Sequence, residues 1–221
     1  MALTVTCQAY GKINIYLDVL KKRRDGYHNL ETLFQSVSLA DVLEFRSEGK
    51  EITFEMEGPA SVPADDRNLA VRAAILLRDR FQTGRGAHIR LIKRIPAAAG
   101  MAGGSADAAA VLVVLNKLWE LRLTQTELAK LALELGADVP FCLVGGAKAA
   151  RLRGEDLYTV HPPVAVWYVL VHPDLELSTK AIFTSPLLTC NTDPPFAGWT
   201  MSFRKVREAF EKGDFSLAVY N

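Results

Sequence analysis

The sequence predicts an α+β protein of two domains, the larger one N-terminal. Apolar and polar residues alternate with period two through the segment ending at Glu57, whereas Asn68 to Gly136 carries helical stripes. The length of 221 residues fits two small domains, at roughly 100 to 200 residues each. The boundary is expected where "RGEDLYT" interrupts two ordered regions, which gives domains of 1–156 and 157–221.

The first strand is read from Leu3, Val5 and Cys7, and a second from Ile13, Ile15, Leu17 and Val19 after Gly11. Lys12, Asn14, Tyr16 and Asp18 share the polar face of the second, because side chains two apart in a strand point the same way. Asp25-Gly26 marks a turn after the basic run Lys21 to Arg24, which reads as a solvated hairpin tip. "VLEF" and the alternating Ile52, Phe54 and Met56 are expected to form an antiparallel pair, with Glu51, Thr53, Glu55 and Glu57 facing solvent.

Leu69, Ala73, Leu76, Leu77 and Phe81 define one face of a helix over Asn68 to Gln82, stopped by Thr83-Gly84. The strand "AHIRLIKRI" follows and ends at Pro96, which lacks a ladder donor. A second helix carries Val111, Leu112, Leu115, Leu118 and Trp119. "TQTE" at Thr124 to Glu127 is a capping box opening a third, with Leu128, Leu131 and Leu135 inward and Gly136 at its end. Further on, "AVWYVLVHP" reads as a strand, "TCNTDPPFAGW" as turns, and "MSFRKVREAFEKG" as an amphipathic helix burying Phe203, Val206 and Phe210.

Lys plus Arg number 26 against 25 Asp plus Glu, so overall charge gives no reason to bind nucleic acid or an anionic membrane. Cys7, Cys142 and Cys190 are scattered and lack metal-ligand spacing, which argues against a disulfide framework or a zinc site and for a reducing cytoplasm. No run approaches the roughly 20 apolar residues of a membrane helix, and "MALTVTCQAY" lacks a signal-peptide pattern, so a soluble, unprocessed protein is expected.

The chemistry is sought in "PAAAGMAGGSADAAA", Pro96 to Ala110, where side chains almost vanish before a helix. Bare backbone N–H groups at a helix N-terminus favour phosphate oxygens, and absent side chains let a phosphate approach. Close packing of the helix on a sheet explains the same residues equally well. The loop is neither G-x-G-x-x-G nor G-x-x-x-x-G-K-[ST]. "GADVPF" places Asp138 in a bend where Pro140 is expected to push Val139 out of helical geometry. Taken alone, Asp138 is an Asx-type turn and Lys12 a solvated strand residue. Together, a phosphate cradle, a cation and a carboxylate are the parts phosphoryl transfer needs: Asp138 accepting a hydroxyl proton, Lys12 stabilising the charged oxygen, and Mg2+ bridging the phosphates without a dedicated protein ligand.

"AYGKINIYLDVLKKRRDGYHNLETLFQ", "RNLAVRAA", "KRIPAAAGMAGGSADAAAVL" and "LGADVPFCLVGGAKAARLRGE" resemble the GHMP kinases, in the branch that phosphorylates 4-diphosphocytidyl-2-C-methyl-D-erythritol. The likeness runs from about Ala9 through "VLVHP" and "STKAIF", in family order and spacing. It implies the GHMP-kinase fold and transfer of phosphate from ATP to the 2-hydroxyl of that substrate, a step of the non-mevalonate isoprenoid route. Lys12 and Asp138 fall on the family's catalytic pair. Pro96, Ala97, Ala98, Ala99, Gly100, Met101, Ala102, Gly103, Gly104, Ser105 and Ala106 fall on its ATP loop, and Asn68, Leu69 and Lys93 near the adenine. Tyr27, His28 and Phe183 match the cytosine pocket, and Asn14 and Thr179 other substrate-side positions. A monomer or weak homodimer in the cytoplasm is implied.

Three departures stand out. Met101 replaces the usual leucine, Ala106 the second serine of "GGSS", and the family's C-terminal glycine-rich motif is missing. The last implies a smaller domain present only in part and a native chain continuing past Asn221, since Asp214 to Asn221 reads as the start of a helix. A non-catalytic nucleotide-binding module and a kinase of another small alcohol remain alternatives. His88, His161 and His172 have no motif around them and read as structural or solvated.

Overall fold

The computed structural model describes residues 4–59, 62–162, 165–171, 179–191 and 199–217. The chain divides into two compact units, each made of two stretches: Met1–Lys12 with Val37–Val144, and Ile13–Ser36 with Gly145–Asn221. The two long strands β1 (Thr4–Lys22) and β2 (His28–Arg46), which pair with each other, therefore each contribute one half to either unit. Gly11 does not break β1 in two as its sequence suggests. A Cβ there would meet Ile95 Cδ1 at 3.3 Å and the carbonyl oxygens of Leu39 and Met101 at 3.4 Å, so glycine serves close approach within an unbroken strand.

In the first unit β3 (Ile52–Glu57) is followed by α1 (Leu69–Arg80) and β4 (Ala87–Ile92). β3 pairs in parallel with β4, and β4 pairs antiparallel with β2 from Val42↔Ile92 to Arg46↔His88. The expected antiparallel pair of "VLEF" with Ile52 to Met56 is thus corrected, because β4 is the shared neighbour of both. Helix α1 supplies the crossover that a parallel pair requires. The glutamates of β3 are exposed, as their alternation predicts.

Helix α1 starts at Asn68, whose side chain accepts from Ala70 N. Helix α2 (Gly103–Leu118) follows the glycine loop, and α3 (Gln125–Leu135) opens with the capping box of Thr124 and Glu127. Phe45, Leu43, Ile89 and Leu91 of the strands meet Ala73, Ala74 and Leu77 of α1, Val111, Leu112 and Leu115 of α2, and Leu128, Leu131 and Ala132 of α3 in one core. Helix α4 (Val139–Val144) includes Pro140 in its first turn. That corrects the expected extended Val139: the missing proline N–H falls where a helix has no use for it.

In the second unit, Leu30 to Gln35 of β2 pair antiparallel with β5 (Ala147–Leu152), which pairs with β6 (Asp156–Thr159). "RGEDLYT" is the turn and second strand of that hairpin, and the expected boundary at 156/157 lies inside this unit. Helix α5 (Thr179–Phe183) is short. Helix α6 (Met201–Glu211) is capped by Thr200 and buries Phe203, Val206 and Phe210 against Ile15, Tyr16, Leu33 and Trp199. A 3-10 turn, Phe215–Leu217, follows it. Of the expected strand "AVWYVLVHP", residues 165–171 pair with no described strand, and His172 lies outside the described residues. Trp167, Val169, Leu170 and Val171 are exposed, while Tyr168 packs on the core.

Two substitutions test this packing. Leu112→Ala, at a fully buried position in the first core, is expected to cost about 2–5 kcal/mol. Thr124→Ala, which removes the capping box, is expected to cost about 1 kcal/mol. Urea unfolding followed by far-ultraviolet circular dichroism measures both.

Candidate active site

Lys12 and Asp138 come together in the first unit. The Lys12 ammonium lies 3.9 Å from Asp138 Oδ2, with the lysine side chain 8 % exposed and the aspartate 36 % exposed. Lys12 N also donates to Met101 O at 3.0 Å, so one strand residue is tied by its backbone to the glycine loop and by its side chain to the acid. Asp138 precedes α4, and its carbonyl accepts from Cys142 N at 3.2 Å. The carboxylate is thereby held between the end of α3 and the first turn of α4. Burial first, with Asp138 adding, pushes the Cys142 thiol up to about 12, so this neighbour stays neutral.

The loop between β4 and α2 alternates its handedness. Ala98, Gly100 and Ala102 have φ of 54°, 69° and 55°. Such alternation turns successive N–H groups to one side and makes an anion-binding concavity. Ala98 and Ala102 are alanines in a conformation that costs on the order of 1–3 kcal/mol per residue. Ala102 caps α2 with no side-chain hydrogen bond, leaving the amides of Gly103, Gly104 and Ser105 before the first intrahelical bond. That bond runs from Ala106 N to Ala102 O at 2.9 Å, so the donor row ends at Ser105 and Ala106, 3 % exposed, serves packing. The packing reading of "PAAAGMAGGSADAAA" fits its second half, where Ala106, Ala108 and Ala109 are buried against the core, while the first half is the segment of alternating handedness.

Asn68 and Leu69 also lie in this unit. Asn68 Nδ2 donates to Pro63 O at 2.8 Å while its Oδ1 caps α1, and a Cβ on Gly104 would sit 3.9 Å from Leu69 Cδ1. Lys93 is buried, with its side chain turned beneath the loop: a Cβ on Gly103 would lie 2.7 Å from its Nζ. Its ammonium donates in a short hydrogen bond to Asp41 Oδ2 and lies 3.7 Å from Asp107 Oδ2. Asp41 Oδ1 accepts from Arg94 N at 2.6 Å and Ile95 N at 2.8 Å. Asp107 Oδ1 has no hydrogen-bond partner among the described residues. Burial, reinforced by Asp41 and opposed by Lys93, pushes the Asp107 carboxyl up to about 8.

Sequence reasoning passed over Asp41 and Asp107. The available signal was an acid at an inward strand position in "SLADVLEF" and a lone acid in the otherwise small and apolar "GGSADAAAVL".

In the second unit the turn at Gly26, with φ of 85°, sets up Tyr27 and His28. His28 is buried and stacks on Phe183 with ring centroids 5.7 Å apart and planes at 29°. Tyr27 is 57 % exposed, with the Arg153 guanidinium 5.2 Å from its ring centroid. Asn14 Nδ2 donates to Thr32 Oγ1 at 2.7 Å, and Thr179 opens α5. Of the other histidines, Nδ1 of His88 shares a hydrogen bond with Thr53 Oγ1, and His161 is exposed.

Strand, strained glycine loop and helix, with a lysine and an aspartate beside the loop, set the architectural class of the first unit, and residues 68–146 match the family described as the GHMP kinases N terminal domain. A relative from Caldanaerobacter subterraneus subsp. tengcongensis, named 4-diphosphocytidyl-2-C-methyl-D-erythritol kinase, is 50 % identical over 177 residues, 80 % of this chain and 61 % of its own length. One of the same name from Bacillus mycoides is 42 % identical over 208 residues, 94 % of this chain and 70 % of its own. The crystal structure of a 4-(cytidine 5'-diphospho)-2C-methyl-D-erythritol kinase superposes with a TM-score of 0.69 at 35 % identity, covering 95 % of this chain and 72 % of that one. The chain belongs to the 4-diphosphocytidyl-2-C-methyl-D-erythritol kinase family, and it spans about three fifths of the length of the first of these relatives.

Asp41→Ala leaves the Lys93 charge buried beside an acid that is itself reluctant to ionise, and is expected to cost about 3–5 kcal/mol in denaturant unfolding.

Proposed function

We propose that the protein transfers the terminal phosphate of ATP to the 2-hydroxyl of 4-diphosphocytidyl-2-C-methyl-D-erythritol. The observation that carries this reading is the double tie of Lys12, by its backbone to the glycine loop and by its side chain to Asp138. It sets a cation and a proton acceptor beside the place where donor phosphates would lie.

In this reading the loop from Pro96 to Ser105 holds the donor phosphates through backbone N–H groups, with Asn68, Leu69 and the Lys93 backbone toward the adenine. Lys12 stabilises charge on the attacking oxygen, and Asp138 orients the acceptor hydroxyl, taking its proton or letting it pass directly to phosphate. A magnesium ion is assigned to the phosphate oxygens, without a dedicated protein ligand. When bound, Mg2+ neutralises charge developing on the transferred phosphoryl group.

The second unit supports the choice of acceptor. Tyr27 and Phe183 offer flat faces for a pyrimidine and His28 a ring nitrogen for its edge, with Asn14 and Thr179 assigned to the rest of the substrate. Because His28 covers one face of Phe183, base stacking on that face requires the imidazole to turn aside. Unpaired cysteines support a reducing compartment, the cytoplasm, and no helix among the described residues is long and apolar enough to cross a membrane. The protein is assigned as a monomer or weak homodimer.

A phosphate-transfer assay with the cytidyl substrate, mevalonate and homoserine tests the assignment, with turnover expected on the first alone. Lys12→Ala and Asp138→Ala are each expected to lower kcat by about 10²–10⁴-fold while calorimetry finds nucleotide affinity within about threefold. Nucleotide binding without turnover of any acceptor overturns the kinase assignment in favour of a binding module. Tyr27→Ala is expected to raise KM for the cytidyl substrate with little change in kcat.

A further inference from the structure

Beneath the loop the first unit buries three ionisable side chains whose charges do not balance. Lys93, Asp41 and Asp107 are 3 %, 0 % and 3 % exposed in their side chains, so two carboxyl groups share one ammonium. The two acids are unequal. Asp41 takes two backbone amides on one oxygen and the ammonium on the other, which suits a full carboxylate. Asp107 Oδ2 receives the 3.7 Å approach of Lys93, the Asp41 carboxyl stands against the same side chain, and Oδ1 has no hydrogen-bond partner among the described residues. It sits in the second turn of α2, amid Ala106, Ala108 and Ala109. An ionised carboxylate with an unsatisfied oxygen in such surroundings is unfavourable, whereas the neutral acid is tolerated.

Height above this cluster is fixed by contact. A Cβ on Gly103 would meet Lys93 Nζ at 2.7 Å and Ile95 Cγ2 at 3.1 Å, so the loop's last residues rest on the ammonium. Lys93 is pinned from its other side, where its N donates to Glu57 O at 2.7 Å and a Cβ on Gly58 would lie 2.5 Å from its carbonyl oxygen.

We propose that Lys93, Asp41 and Asp107 are positioning residues for the donor phosphates, with Asp107 carried as the neutral acid so that the buried cluster holds no net negative charge under the loop. The proposal rests on the reading of the loop as a phosphate cradle. The other titratable groups facing Asp107 are Cys7 of β1 and Cys142 of α4, whose thiols burial pushes up to about 11 and about 12. Both stay neutral where Asp107, raised to about 8, gives up its proton, so Lys93 and Asp41 are the charges it faces. Above that pH a buried negative charge appears below the loop and repels phosphate. By reciprocity, nucleotide binding raises the Asp107 pKa further and draws in a fraction of a proton.

Calorimetric titration of the protein with ADP and magnesium between pH 7 and pH 9.5 reads this directly. Affinity is expected to fall by up to about tenfold per pH unit above about pH 8 in the unaltered protein, and to stay nearly level in Asp107→Asn. Infrared spectra are expected to show a protonated carboxyl band at pH 7 that Asp107→Asn lacks. Proton uptake on nucleotide binding near pH 8, read from buffers of different ionisation enthalpy, needs no variant, and its absence overturns the proposal. An alkaline fall that survives in Asp107→Asn, or a missing infrared band, overturns it as well. Failure to bind nucleotide at any pH, with the band present, overturns the cradle reading and this role with it.

Discussion

Much of the first unit depends on one buried carboxylate. Asp41 lies at an inward position of β2 and takes the amides of Arg94 and Ile95 together with the Lys93 ammonium. Those three donors offset its desolvation, and they also end β4 at a defined place. The amides it takes are those that would otherwise continue the ladder toward Pro96. The strand therefore stops at Ile92, and the chain is turned into the loop with Lys93 directed underneath it. A hydrophobic residue at position 41 would fill the volume and leave the loop without an anchor.

An anchor of that kind matters because the loop itself is not relaxed. Ala98 and Ala102 hold a backbone conformation that glycine adopts freely and alanine does not, and neither gains a side-chain hydrogen bond by it. What they gain is burial nearby: Met101 is inserted into the unit, and its carbonyl is fixed by Lys12 N. Strain at Ala98 and Ala102 is thus balanced by Asp41 below, Met101 within and the β1 backbone beside it. The same contact at Met101 places Lys12, which couples the shape of the loop to the position of the lysine.

Periodic segments were legible from the sequence. Helices α1, α2, α3 and α6 lie where their stripes and caps place them, since an apolar face and a capping box are local facts. Pairing was not, because it depends on distant residues. Nothing local shows that β4 enters between β2 and β3, or that Gly11 serves a neighbour's approach within one long strand. Residues 165–171 have the continuous apolar run of a strand, yet a strand also needs a partner, and none stands beside it among the described residues. Pro140 misled because a proline before which helices usually end is equally at home in a first turn. Asp41 and Asp107 were missed because their meaning arises only when positions 41, 93 and 107 meet in the fold.

The parts of the candidate site are not equally general. The segment matching the GHMP kinases, residues 68–146, contains the loop, Asn68, Lys93 and Asp138, but neither Lys12 nor any of Tyr27, His28 and Phe183. The proposed phosphate site therefore lies mostly in what the class shares, with Lys12 brought to it by β1. The residues proposed for a base lie in the second unit, where a glycine turn presents Tyr27 and His28 and α5 presents Phe183. In the proposed function, substitutions among these aromatics act on the choice of acceptor and not on the loop, its anchor or the Lys12–Asp138 pair, which lie in the first unit. A change at Asp41 or Gly103 acts instead on the loop of the first unit, through Lys93, and so on the donor side of the proposed reaction whatever the acceptor.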